Sequence, residues 1–176
     1  MMKRLFLAIA PDEAQLKQLT QLQASLNGEG RLVPRGNLHM TLAFLGQCSD
    51  TQQEALSNAL ARLAHQGRLP AFEVTLDTLV HWSRPKILCL KGVARDPQLL
   101  SLFDLCQQLA QQQGLHTSEH NFTPHITLMR KAKTLPELKA PSLTLSGHAL
   151  HLYHSQSSEQ GVQYKVLSSW PLCETK

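Results

Sequence analysis

The chain has 176 residues, of which 42% are hydrophobic and 17% charged, with a net charge of +4. That length and apolar content suit one domain, or two small lobes sharing a core, and exclude a disordered chain. The mild basic excess points to an anionic ligand held in a groove, not to a surface that coats DNA.

Arg4 to Ala10 reads as a first strand stopped by Pro11. Lys3-Arg4 ahead of this apolar run mimics a signal peptide, but the run is too short, and a cytosolic chain is expected. Asp12 to Leu26 carries Leu16, Leu19, Leu22 and Leu26 at helical spacing, closed by Asn27-Gly28-Glu29-Gly30. A loop from Arg31 to Asn37 leads into a strand, Leu38 to Gly46. On that strand His39, Thr41 and Ala43 share one face, and Leu38, Met40, Leu42 and Phe44 the other. A second helix, capped by Ser49 or Asp50, buries Ala55, Leu56, Ala59, Leu60 and Leu63, and ends by Gly67 and Pro70.

Phe72 to Val80 alternates as a strand; Ser83-Arg84-Pro85 turns, and Lys86 to Gly92 is the next strand. Asp96-Pro97 opens a third helix that runs to Gly114. His116 to Pro124 is a loop with solvated His116 and His120; His125 to Arg130 is a strand; Lys131 to Pro141 is a polar connection. Leu143 to Tyr153 and Val162 to Leu167 read as two strands around a turn at Ser155 to Gly161. No apolar stretch approaches the ~20 residues that span a bilayer. Cys48, Cys89, Cys106 and Cys173 form no C-x-x-C pair and read as reduced thiols.

The tetrad His-x-Thr-Leu occurs twice, as His39-Met40-Thr41-Leu42 and His125-Ile126-Thr127-Leu128, starting 86 residues apart. On a strand, each tetrad aims an imidazole and a hydroxyl out of the same side. Two such strands facing each other would place two acid/base groups and two hydroxyl donors around one phosphorus. Histidine near its ordinary pKa of ~6.5 serves as base or acid at neutrality. Two imidazoles beside one phosphate titrate together, one neutral and one charged at working pH. Threonine hydroxyls would hold the equatorial oxygens as charge develops. Taken singly, either His or Thr is an ordinary strand residue; the duplication carries the reading.

Neither motif supplies Asp, Glu or Cys at ligand spacing, so no metal is expected. His148, His151 and His154 have the spacing of a weak metal tract but split between the two faces of a strand. There is no G-x-S-x-G, Walker loop or G-x-G-x-x-G, and no cofactor is expected.

The residues resemble the 2H phosphoesterase superfamily, and within it the bacterial RNA 2′,3′-cyclic phosphodiesterase family, also called 2′-5′ RNA ligase (LigT-like). The resemblance rests on Arg4–Ile9, on Val33-Pro34 leading into Asn37–Gly46, on Phe122–Arg130, and on Tyr164 ahead of Trp170-Pro171-Leu172. It implies a single α+β domain of two pseudo-symmetric lobes, each an antiparallel sheet with helices on its outer face, around a central cleft. The implied reaction opens an RNA 2′,3′-cyclic phosphate to a 2′-phosphomonoester, with reversible 2′-5′ joining of tRNA halves as a related activity. Its implied partners are RNA ends or nucleotides carrying the cyclic phosphate, with no membrane and no obligate protein partner; a monomer is the expected state.

The resemblance makes His125 the proton acceptor, His39 the proton donor, and Thr41 and Thr127 phosphate ligands. Arg130 matches a basic position after the second tetrad, yet strand parity puts it opposite His125 unless the strand bulges. Phe6 and Tyr164 are candidates to stack on a base or line the cleft, with core packing the rival role for Phe6. Arg84 and Lys86 form a candidate basic rim. Two rival readings stay open: a related enzyme for another small cyclic or 2′-5′-linked nucleotide, and a non-catalytic RNA-end binding protein.

Overall fold

A computed structural model of the chain describes residues 1–26 and 29–174. The strands are β1 (Lys3–Ile9), β2 (Arg31–Leu32), β3 (Met40–Cys48), β4 (Phe72–Trp82), β5 (Ile87–Gly92), β6 (His125–Arg130), β7 (Leu143–Gly147), β8 (Ala149–Ser158) and β9 (Gly161–Pro171). The helices are α1 (Glu13–Ala24), α2 (Asp50–His65) and α3 (Pro97–Gln112). One sheet runs β3-β1-β8-β9 and the other β2-β6-β5-β4-β7. All their strand pairs are antiparallel. The two-sheet α+β expectation holds.

Local chemistry sets the helix starts. Asp12 and Ser49 each close a capping box, accepting from the backbone N–H of Gln15 and Gln52 at 2.8 and 3.1 Å while those glutamines accept in return. Asp96 caps α3, with Pro97 in its first turn. The expected stop of α1 at Asn27-Gly28 lies outside the described residues; the helix itself ends at Ala24.

The apolar run after Lys3-Arg4 is β1, which is paired on both edges and central to its sheet. Its Leu5, Leu7 and Ile9 point into one continuous core with Leu88, Leu90, Ile126 and Leu128 of the other sheet. The helices stitch the halves together. α1 packs on β6 and β7, where Gln15 Nε2 donates to the Thr144 carbonyl and Gln23 Nε2 to those of Val33 and Leu128. α2 packs on β9, and α3 lies against β3 and β4.

Three expectations need correction. Leu143 to Tyr153 is two strands, not one: β7 pairs with β4 in one sheet and β8 with β1 in the other, so the chain changes sheets at Gly147-His148. A Cβ on Gly147 would sit 2.4 Å from the Phe72 ring, so only glycine admits this close passage. The loop from Arg31 to Asn37 holds a two-residue edge strand and a short helical turn at Arg35–Asn37. The last strand extends through Ser168 and Ser169 to Pro171, because the β8 ladder continues past its apolar stretch.

Candidate active site

The two tetrads sit in matching registers. Ala8 pairs with Thr41 and Leu7 with Ala43, leaving Leu42 as a bulge; Cys89 pairs with Thr127 and Leu88 with Met129, leaving Leu128 as a bulge. Each bulge inserts one residue, so side-chain parity flips beyond it. As a result Leu42 and Ala43, and likewise Leu128 and Met129, are consecutive buried residues. The residue five places after each histidine then joins the histidine's own face.

In the second motif that residue is Arg130, which returns to the side of His125 and Thr127. In the first it is Phe44, which the simple alternation puts in the core. The bulge turns it outward, and it is 49% exposed. Phe44 was missed because a bulge leaves no mark on a single strand's alternation.

The imidazoles are oriented alike. His39 Nδ1 donates to the Asn37 carbonyl at 2.7 Å and His125 Nδ1 to the Thr123 carbonyl at 2.8 Å. A carbonyl only accepts, so Nδ1 carries the proton in the neutral ring and Nε2 is left for the cleft. His39 Nε2 lies 2.9 Å from the Thr41 hydroxyl, which therefore donates to it. Thr127 has a different neighbour, the Cys89 Sγ at 3.6 Å. Burial pushes the Cys89 thiol up to about 11, so it is no nucleophile.

Burial also lowers both imidazoles. His39 falls from 6.5 to about 4, mainly by desolvation; the Asn37 carbonyl works against this, and the charges of Arg130 and His125 add to it. His125 is lowered by burial, opposed by its Thr123 carbonyl. Burial thus favours the neutral form of both rings at pH 7, and an anion between them would favour a charge on one.

The two ends of the cleft differ chemically. Beside His39, the Arg130 guanidinium donates to the Tyr164 hydroxyl at 3.3 Å. Tyr164 sets its ring edge-on to His39, with centroids 5.2 Å apart. Asn37 grips β9 through Nδ2 to the Val162 carbonyl and Oδ1 to the Tyr164 N–H, at 2.8 and 3.3 Å. Phe6, expected as a base platform or core residue, is only 2% exposed and packs against His39, Tyr153 and Tyr164. It supports the site from beneath and offers no face to a ligand. Arg84 and Lys86 lie in the exposed turn before β5.

At the other end, Trp82 meets the His125 ring edge-on at 4.8 Å. Phe44, Trp82, Phe122 and His116 line a cavity of about 520 Å³ that also reaches Thr41 and His125. His116 is thus a wall of this cavity, 6.4 Å from the Phe44 ring, and not merely solvated. Gln107 pins the 116–123 loop here, donating to the Leu42 carbonyl at 3.0 Å and accepting from the Ser118 N–H at 2.8 Å. Among the described residues no three His, Cys, Asp or Glu side chains converge to hold a metal ion. Among the described residues no helix is long and apolar enough to cross a membrane.

Residues 9–89 match the family described as LigT like Phosphoesterase. The RNA 2′,3′-cyclic phosphodiesterase of Escherichia coli is 34% identical over 148 residues, covering 82% of this chain and 81% of that protein. The RNA 2′,3′-cyclic phosphodiesterase of Thermotoga maritima is 26% identical over 177 residues, covering 93% and 92%. The crystal structure of Escherichia coli LigT complexed with 3′-AMP is similar at a TM-score of 0.87 and 31% identity, over 98% of this chain and 99% of that one.

Proposed function

This chain belongs to the LigT-like phosphoesterase family, and we propose that it is an RNA 2′,3′-cyclic phosphodiesterase that works in the cytosol through His39 and His125. The observation that carries this is the matched pair of imidazoles. Each is locked by its Nδ1 proton to the carbonyl two residues upstream, so each offers Nε2 to the same cleft.

Water attacks phosphorus as His125 Nε2 takes its proton. The bond from phosphorus to the 3′ oxygen breaks as His39 Nε2 delivers a proton to that oxygen, leaving a 2′-phosphomonoester and a 3′ hydroxyl. Burial and the Arg130 charge favour neutral His39, and the phosphodiester anion offsets both and favours its protonated form. Protonation also frees Thr41. Its hydroxyl donates to the unprotonated His39 Nε2 and turns to a phosphate oxygen once that nitrogen carries a proton. Thr127 and Arg130 complete the anion's ligands. The reverse sequence with a 5′ hydroxyl in place of water is a 2′-5′ ligation, as microscopic reversibility requires. The aromatic cavity beside His125 takes the nucleobase, since stacking on Phe44 and Trp82 suits any base.

The test is turnover of a short RNA ending in a 2′,3′-cyclic phosphate by His39→Ala and His125→Ala. Each loses about 10²–10⁴-fold, the worth of one acid or base, while melting as a folded protein. Near-wild-type turnover in either variant rules the mechanism out.

A further inference from the structure

One row of sheet neighbours crosses the cleft face: Arg31 on β2, Arg130 on β6, Ile87 on β5 and Trp82 on β4. Arg31 and Arg130 are direct cross-strand partners, so their side chains emerge on the same face about 5 Å apart at Cβ. Like charges in that relation repel and weaken a sheet. Among the described residues no carboxylate lies within ion-pair distance of either; the ion pairs formed are Met1 and Lys3 with Asp50, Arg35 with Glu13, and Lys133 with Glu29. Both arginines are exposed.

The backbone beside them is also unusual. Lys86 and Lys131 flank the Ile87–Arg130 pair, and both adopt left-handed conformations, φ 57° and 55°. Such residues are costly unless the surroundings hold them, and they cluster at functional sites. The Ala132 N–H donates to the Lys86 carbonyl at 2.9 Å, which locks the two turns together. Arg31 and Arg130 therefore set two unpaired cations at one end of the cleft, the end beside Tyr164 and His39. The opposite end, at Phe44 and Trp82, is aromatic. A mononucleotide with a cyclic phosphate needs only one anion site between the histidines.

We propose that Arg31, with Arg130, forms a second anion site that takes the phosphodiester on the 5′ side of the reacting nucleotide, so that RNA strands are processed in preference to mononucleotides. This rests on the phosphodiesterase reading above, in which His39 faces the 3′ oxygen. The ribose then lies with its base toward Phe44 and its 5′ carbon toward the arginines. Arg130 reaches inward to Tyr164 and the reacting phosphate. Arg31, one strand further out, meets the next phosphate of the chain.

The experiment compares kcat/KM for a dinucleotide ending in a 2′,3′-cyclic phosphate with that for the mononucleoside 2′,3′-cyclic phosphate. Wild type favours the dinucleotide by about tenfold or more, the worth of one charge-assisted contact. Arg31→Gln brings that ratio close to one and flattens the salt dependence of the dinucleotide reaction by about 0.7 in log–log slope, one phosphate contact. Arg31→Lys keeps most of the salt dependence. A wild-type ratio near one overturns the proposal. So does an equal loss on both substrates in Arg31→Gln, which would mean that both arginines serve the reacting phosphate. If wild type hydrolyses neither substrate, the phosphodiesterase reading fails, and calorimetry decides the anion site separately. The probes are a dinucleotide bearing a terminal 2′-phosphate and a nucleoside 2′-phosphate. Tighter dinucleotide binding lost in Arg31→Gln upholds the site, and equal binding of the two probes overturns it.

Discussion

The pH dependence of the reaction should differ between the free protein and the substrate complex. The perturbation is pH, read through kcat/KM for the free cleft and through kcat for the complex. Burial holds His39 at about 4. At pH 7 that leaves its imidazolium at roughly one molecule in a thousand, and the cleft opposes it by up to about 3 kcal/mol. His125 is lowered as well. The singly protonated pair that the reaction needs is therefore most populated in the free protein below pH 6.5. The basic limb of kcat/KM should begin there and fall about tenfold per pH unit. In the complex the phosphodiester anion favours the charged ring, and an opposite charge at contact is worth about 1–3 pH units. The basic limb of kcat should sit higher by that amount. The assay is steady-state hydrolysis of a nucleoside 2′,3′-cyclic phosphate from pH 4 to 9 at constant ionic strength. Coincident basic limbs, or a kcat/KM that still rises above pH 6.5, would refute the reasoning. The sign also fixes stability. Unfolded His39 takes its proton near 6.5 and folded His39 near 4, so stability should fall as pH drops through that window. His39→Ala should blunt the fall.

Phe44→Ala removes a half-exposed ring and should leave the melting temperature nearly unchanged. It should lower kcat/KM for nucleoside cyclic phosphates by roughly 5- to 100-fold, the worth of about 1–3 kcal/mol of base stacking; unaltered kinetics would remove the nucleobase from this cavity. Gly92→Ala should cost about 1–3 kcal/mol of stability as an overpacking change, since its Cβ would fall 1.9 Å from the Thr75 carbonyl oxygen, which is backbone and has little room to yield. A denaturant midpoint equal to wild type would contradict that.

Much of this arrangement was legible in the sequence, for physical reasons. The helices announced themselves through capping residues and apolar spacing, and β6 has the bounds its alternation implied, His125–Arg130. The tetrads pointed to a shared cleft face because the side-chain period of a strand is two. The misses also share a cause. Bulges at Leu42 and Leu128 are properties of strand pairing, so the placing of Phe44 and Arg130 could not be settled from one strand alone. Gly147 and His148 interrupt nothing in the local pattern, yet the chain changes sheets there. The depression of both histidines comes from burial by residues distant in sequence. Asn37 stood in the motif but showed nothing of its grip on β9, which is 125 residues away.

The most direct measurement is the product of a short RNA with a 2′,3′-cyclic phosphate end, hydrolysed with EDTA present and resolved by phosphorus NMR. Paired-histidine hydrolysis predicts a 2′-monophosphate as the sole product, at a rate indifferent to the chelator. A 3′-monophosphate, or activity lost in EDTA and restored only by added metal, would contradict it.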